Sequence, residues 1–189
     1  MHALDFLDTR RSVPSRLLGA PGPDADQLDA LLRSASRVPD HGKLVPWRFL
    51  LIRGEQRARL GRLLAEVNLR KHPDAPTAAL EKDRERFNFA PLTVCVIARI
   101  DEVQTKIPSQ EQLLSAGCVA YNLLLGAQAL GFGAQWLTGW AAYDADIAQT
   151  LGLGGSERII AFVHIGTASE AAPERLRPDL ASLVSTWAG

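Results

Sequence analysis

The sequence has 189 residues, 47% of them hydrophobic, and its 21 basic residues balance 21 acidic ones, so the formal net charge is zero. This length suits one compact domain, residues 1–189, which can bury a core without disulfides or metals. The neutral charge argues against a dedicated nucleic-acid binder, because such proteins usually carry a basic excess.

The N-terminal residues and the two cysteines indicate in which cellular compartment the protein is expected. The N-terminal segment contains acidic residues and lacks a long apolar run, so no signal peptide is predicted. Cys95 and Cys118 both lie in apolar runs, which predicts two buried free thiols. The most apolar helix is short and is interrupted by Asn122 and Gln128, so it should not span a bilayer. These features predict a soluble, cytoplasmic protein without a membrane partner.

In the first half of the chain, apolar residues at helical spacing predict helices around residues 4–10, 24–35 and 60–67. Asp24 and Gln27 form a capping-box pattern at the start of the second helix. The aromatic and aliphatic run from Trp47 to Ile52 predicts a strand. The charged stretch from Lys71 to Phe89 predicts an irregular, mobile lid with a short helix over residues 78–86.

One apolar helix organises the second half. Residues 115–130 are apolar on nearly every face, which predicts a helix buried on all sides, as the axis of a core or as half of a subunit interface. Gly131 supplies a left-handed stop for this helix. We therefore expect the remaining elements to wrap around it.

The elements around that helix are shorter. Apolar runs of strand length predict strands at residues 92–98 and 159–165 and a short strand after Gly133. A loop is predicted over residues 101–110 and a short helix over residues 144–151. The tail is predicted to pack on a surface that the sequence does not identify, through its apolar residues Leu180, Leu183, Val184 and Trp187. Mixed helices and strands indicate an α/β or α+β class, with parallel and antiparallel sheets both open.

Two arginines and a serine, Arg10, Arg11 and Ser12, stand at a predicted junction between a helix and a loop. Arginine forks match phosphate oxygens and a serine adds a short donor. The competing interpretation is a solvated helix end, where cations suit the helix dipole, and the trio alone favours it. Arg37 and His41 follow the next helix end, where prolines stiffen the turn and can fix a side chain against a ligand.

Motifs for nucleophilic or metal chemistry are missing from the sequence. No HExxH, CxxC or GxSxG pattern occurs, and the four histidines are scattered without metal-binding spacing. Gly131-Phe132-Gly133 follows a helix and precedes a strand, which is the wrong order for a dinucleotide fingerprint. If the protein is an enzyme, a bound cofactor should do the chemistry, with no catalytic side chain and no metal.

Several motifs follow one another along most of the chain: Arg10-Arg11-Ser12, Arg37-Val38-Pro39-Asp40-His41, Pro46-Trp47-Arg48-Phe49, Ser115-Ala116-Gly117-Cys118, Gly131-Phe132-Gly133 with Trp136, and Ile165-Gly166-Thr167. This ordered set resembles the nitroreductase family of flavin enzymes, and most of all its short YdjA-like NAD(P)H nitroreductases. The stretch from Lys71 to Phe89 and the tail after Thr167 match poorly. The YdjA-like pattern also has a basic residue where this chain has Leu137, so one phosphate contact is expected to be missing, with Arg16, Arg175 or Arg177 as replacements.

The resemblance implies an α+β fold with a mainly antiparallel sheet flanked by helices. It further implies a homodimer, with the long central helix at the interface and two FMN sites lined by both subunits. By motif match, Arg10, Arg11 and Ser12 would contact the phosphate and the pyrimidine edge of FMN. Further contacts would come from the loop after the second helix and from the strand after the central helix. The residues implied to contact FMN are Arg10, Arg11, Ser12, Arg37, His41, Trp136 and Thr138.

The implied activity is ping-pong redox chemistry, in which NAD(P)H reduces FMN and a nitroaromatic or quinone-like acceptor then oxidises it. One alternative is a flavin enzyme of the same fold with other chemistry, such as flavin fragmentation or dehalogenation, which the lid would decide. The other is a non-enzymatic dimer that binds flavin or another ligand, and the apolar Leu137 keeps this alternative open.

Overall fold

A computed structural model describes residues 2–103 and 106–189. The helices of this described part are α1 (Ala3–Thr9), α2 (Ala25–Ala35), α3 (Glu55–Lys71), α4 (Thr77–Glu85), α5 (Ser109–Ala129) and α6 (Ala145–Thr150). Its strands are β1 (Leu18–Gly19), β2 (Trp47–Arg53), β3 (Leu92–Arg99), β4 (Gly133–Leu137) and β5 (Glu157–Ala168). Residues 104–105 of the predicted 101–110 loop lie outside the described residues.

Strand β5 is the centre of the sheet. It pairs with β3 along one edge and with β4 and β1 along the other, and β2 lies beyond β3. All of these described pairings are antiparallel, so the fold is α+β with an antiparallel sheet, as the resemblance implied. The continuous apolar runs of β3 and β5 are buried because helices cover both faces of the sheet.

Local signals set several helix ends where the sequence predicted them. Asp24 Oδ1 accepts a hydrogen bond from the Gln27 backbone amide, and the Asp24 backbone amide donates one to Gln27 Oε1, which completes the capping box of α2. Gly131 has φ = +86°, so it provides the left-handed residue that stops α5.

Helix α5 lies with α2 across one face of the sheet and forms the first hydrophobic cluster. Within the predicted range 115–130, burial on all sides is wrong for the single chain, because Tyr121 is 42% exposed, and Leu114 just before the range continues the exposed stripe at 60%. The alternative that this helix is half of a subunit interface stays a prediction. Cys118 is exposed on the same stripe, so the prediction that it is buried is also wrong. Cys95 is buried, and burial raises the pKa of its thiol to about 12. Among the described helices, none combines the length and apolar character needed to cross a bilayer.

Helices α3 and α6 cover the opposite face and form the second cluster, and α4 packs against α3. The stretch from Lys71 to Phe89 is not the irregular lid that its charges predicted. Leu80 and Phe87 are buried, and Phe87 lies against the ring of Phe162 with centroids 5.1 Å apart. A few apolar residues at the right positions are enough to fix a mostly charged segment to the core.

Polar side chains also tie this stretch to its surroundings. The Asp83 carboxylate accepts hydrogen bonds from Asn68 Nδ2 at 2.7 Å and from Trp140 Nε1 at 3.0 Å. Arg86 fills the space where a side chain at Gly139 would stand. Asp83 and Arg86 therefore hold the segment directly after β4, and the predicted site residue Thr138 lies in that segment.

A buried histidine lies beside Phe87. His164 of β5 has its Nδ1 3.1 Å from Thr93 Oγ1, and its ring stacks on Phe87 with centroids 5.5 Å apart. Burial first, and then the nearby Arg86 charge, lower the pKa of His164 to about 4. His164 is thus a neutral core residue, which fits its position within an apolar strand.

The apolar end of the tail is exposed. Leu180, Leu183, Val184 and Trp187 all project from the chain, so the prediction that they pack is wrong within this single subunit. The tail between residues 173 and 189 instead makes polar contacts through Glu174 and Arg177. Two of those contacts, from Glu174 to Arg11 and from Arg177 to the Arg10 carbonyl, involve predicted site residues.

Candidate functional site

Residues 10–12, called the arginine segment below, gather two guanidinium groups and one hydroxyl. The segment begins where α1 ends, and all three residues are half-buried. Arg10 Nη1 donates to Ser12 Oγ at 3.3 Å, and Arg11 Nη1 donates to the carbonyls of Asp8 at 2.9 Å and Arg10 at 2.8 Å. Arg11 is therefore held in place through Nη1 by its own turn of chain, which leaves Nη2 for an anionic partner.

The segment is pinned to α5 and β4 by contacts that the sequence did not predict. Gln128 Nε2 donates to the Arg11 carbonyl, and the Val13 amide donates to the Ala134 carbonyl at 3.0 Å. Gln135 Oε1 accepts from the Ser15 amide at 2.5 Å. In the sequence, Gln128 stands out as a polar residue inside an apolar helix. That pattern indicates that its side chain needs a hydrogen-bond partner, but it does not show that the partner is the Arg11 carbonyl.

The arginine segment already holds an anion. Arg11 Nη2 forms an ion pair with Glu174, and Arg177 Nη2 lies 3.1 Å from the other oxygen of the same carboxylate. Two guanidinium groups around one carboxylate make a donor set that also suits a phosphate. The residues present thus fit the FMN phosphate that the resemblance implied, and Arg177, one of the three expected replacements for the missing cation, belongs to this donor set.

The loop that carries Arg37 and His41 lies along α5, from beside its middle at Arg37 to its start at His41. Asn122 Nδ2 donates to the Arg37 carbonyl at 3.1 Å, and His41 Nδ1 lies 2.7 Å from Glu111 Oε2. Positions 111 and 128 of α5 are separated by about 26 Å along the helix axis. Within one chain, the structure does not bring His41 to the arginine segment.

Trp136 and Thr138 lie on and just after β4, the strand that holds the arginine segment at its start. Trp136 packs against the first cluster beside α5, and Thr138 follows directly after the end of β4. Leu137 lies across from Phe162, which belongs to the second cluster. The apolar residue at position 137 therefore suits its surroundings.

Arg48 of the Pro46–Phe49 motif has a structural partner. Its Nε and Nη2 lie 2.6 and 2.8 Å from the two Glu157 carboxylate oxygens, in a two-pronged ion pair. Hydrogen bonds from Arg48 hold the pKa of Glu157 at about 2, against the opposing effect of burial. This motif residue thus joins β2 to the start of β5 and is not available to a ligand.

Grooves of about 530, 510 and 360 Å³ open elsewhere on the chain. The first lies between β2, α3 and α6, and the arginine segment lines none of the three. We assign the candidate site to the arginine segment because its donors converge on an anion, whereas the first groove has no such convergence. The segment faces outwards, as one wall of a site rather than a closed cavity.

Comparison with known proteins gives a consistent result. A sequence model of the nitroreductase family matches residues 7–167. A Haemophilus influenzae protein named as an NAD(P)H nitroreductase is 38% identical over 177 residues, covering 94% of each chain. The Escherichia coli protein named as NAD(P)H nitroreductase YdjA is 35% identical over 167 residues, covering 88% of each chain.

Solved structures share the fold. The nitroreductase-like family protein of Bacillus cereus superposes with a TM-score of 0.81 at 25% identity, covering 100% of this chain and 97% of that one. NfnB of Sphigopyxis sp. strain HMH, an FMN and NADPH-dependent nitroreductase, superposes with a TM-score of 0.76 at 22% identity over the full length of both chains.

Proposed function

Because the chain belongs to the nitroreductase family of NAD(P)H-dependent flavin oxidoreductases, we propose that residues 1–189 form one such domain, with the FMN phosphate held at the arginine segment. The observation that carries this assignment is the pair of guanidinium groups, Arg11 and Arg177, that already surround a carboxylate. The similarity to NfnB, which is FMN and NADPH-dependent, supports the same cofactor and reductant.

Each residue of the arginine segment has a distinct role in this proposal. Arg11 presents Nη2 to the phosphate while Nη1 stays tied to backbone carbonyls, so its fork is oriented before the ligand arrives. Ser12 adds a hydroxyl donor and Arg10 a second positive charge. Arg177 supplies the cation that the apolar Leu137 does not.

FMN at this site supplies the redox chemistry, with NAD(P)H as the reductant and a nitroaromatic or quinone-like compound as the acceptor. The chain contributes binding and electrostatics. An arginine of the arginine segment that lay beside the pyrimidine edge of FMN would stabilise negative charge there. Trp136 and Thr138 approach from β4 and limit the space around the ligand.

A steady-state assay tests the proposed activity. Protein loaded with FMN is expected to oxidise NADH or NADPH in the presence of a quinone or a nitroaromatic acceptor. A ping-pong mechanism predicts parallel lines in double-reciprocal plots when the two substrates are varied. The absence of any NAD(P)H-dependent reduction of either acceptor class would contradict the proposed reaction. Stoichiometric FMN binding without turnover would favour a binding protein.

The same proposal includes a homodimer built around α5. Leu114, Cys118 and Tyr121 form an exposed stripe at helical spacing on α5 in the single chain. In a two-fold symmetric pairing with α5 antiparallel to its copy, the N-terminal half of one helix lies beside the C-terminal half of the other. That arrangement would bring the Arg37 and His41 loop of one subunit to the arginine segment of its partner.

Replacing Leu114 with glutamate is expected to separate the subunits, because it places a charge in the proposed apolar interface. Sedimentation should show a shift from dimer to monomer, and FMN affinity should fall because each site loses one wall. Leu69→Glu is the matched control, since Leu69 is an exposed leucine on α3, on the other side of the sheet. A wild-type protein that binds FMN as a monomer would refute the dimer.

A further inference from the structure

The carboxylate of Glu174 receives three donors at the candidate phosphate site. One oxygen pairs with Arg11, and the other lies 3.1 Å from Arg177 Nη2 and accepts the Arg175 amide at 2.8 Å. Two cations and a backbone N–H around one anion are the kind of donors that bind a phosphate group. Glu174 therefore occupies donors that an incoming phosphate also needs.

The two sides of this ion pair are held with different strength. The Arg11 side chain is 24% exposed and is tied to two backbone carbonyls, whereas the Glu174 side chain is 56% exposed. Ala172 packs against a small third cluster, but the residues that follow it are all exposed. The cation is thus fixed in the fold, while its carboxylate partner can move away at little cost in buried surface.

We propose that Glu174 is an affinity-determining residue of the phosphate site, a resident anion that the FMN phosphate must displace. This inference rests on the proposed function. A phosphate monoester carries more negative charge than a carboxylate at neutral pH and offers three acceptor oxygens, so it wins the competition for Arg11. Displacement also releases Arg177, which becomes free to pair with the phosphate in place of the carboxylate.

The competition predicts that removing the Glu174 charge strengthens FMN binding. Glu174→Gln keeps the shape of the side chain but loses the negative charge, and we expect the FMN dissociation constant of the apoprotein to fall roughly three- to fivefold. Riboflavin has the same ring system without the phosphate, so its dissociation constant should not change. Quenching of flavin fluorescence during titration of the apoprotein measures both constants.

Glu170→Gln is the control variant. It removes the same charge from the same tail, and Glu170 is exposed without an ion pair among the described residues. Tighter FMN binding by Glu174→Gln alone supports the inference. An unchanged FMN constant in Glu174→Gln, an equal gain in Glu170→Gln, or an equal gain for riboflavin would overturn it and leave the FMN assignment standing. Failure of every variant and of the wild type to bind FMN would overturn both.

Discussion

Replacing Phe87 with alanine is expected to lower the free energy of unfolding by about 3–5 kcal/mol. Phe87 is fully buried and lies between Phe162 and His164, with ring centroids at 5.1 and 5.5 Å. Removing the ring leaves a cavity lined by β5, which the surrounding strands cannot close. Urea denaturation of the wild type and the variant measures the difference.

Phe89→Ala provides a matched control for that experiment. Phe89 stands two positions away in the same charged stretch but is 42% exposed, so its removal should cost well under 1 kcal/mol. Equal stabilities for Phe87→Ala and the wild type would contradict the conclusion that this stretch belongs to the core.

Arg11→Ala is expected to weaken FMN binding by about 10- to 150-fold, the effect of losing one charge-assisted hydrogen bond worth about 1.5–3 kcal/mol. The expected loss is large because Arg11 is the guanidinium that the fold holds in place. Arg11→Lys keeps the charge but not the planar fork, so an intermediate affinity is expected. Fluorescence titration of the apoproteins with FMN gives all three constants.

Arg62→Ala is the control for this series. Arg62 is an exposed arginine on α3, remote from the arginine segment. Its loss changes the net charge by the same amount as the loss of Arg11, so the FMN affinity of Arg62→Ala should equal that of the wild type. An Arg11→Ala protein with the FMN affinity of the wild type would place the phosphate elsewhere.

Much of the fold could be predicted because it depends on short-range patterns. The apolar spacing and capping box of α2 and the left-handed Gly131 are signals within a few residues of the structure they specify. The apolar faces of α5 were equally visible. Periodicity, however, does not say what covers a face, so the exposed stripe of α5 could not be told from a buried one.

The stretch from Lys71 to Phe89 was misjudged for a related reason. Its composition is dominated by charged residues, and the positions of Leu80 and Phe87 relative to the sheet depend on tertiary packing. Composition predicts whether a segment can be exposed to solvent. It does not show that two buried apolar side chains attach the segment to the core.

The sequence motif identified the residues of the candidate site, but it did not identify the side chains that hold them in place. Arg10, Arg11 and Ser12 are adjacent in the sequence, whereas Gln128 and Gln135 reach this region from more than 100 residues away. The Arg11–Glu174 ion pair spans an even longer stretch of sequence. Such contacts arise from the strand order of the sheet, which no local pattern encodes.

The visible absorption spectrum of the purified protein, recorded before and after addition of FMN and then under anaerobic NADPH or NADH, tests the central claim most directly. We predict a flavin spectrum, release of FMN on denaturation, and bleaching of the flavin band by the reduced nicotinamide. A colourless protein that takes up no added FMN would contradict the assignment of a flavin site to the arginine segment.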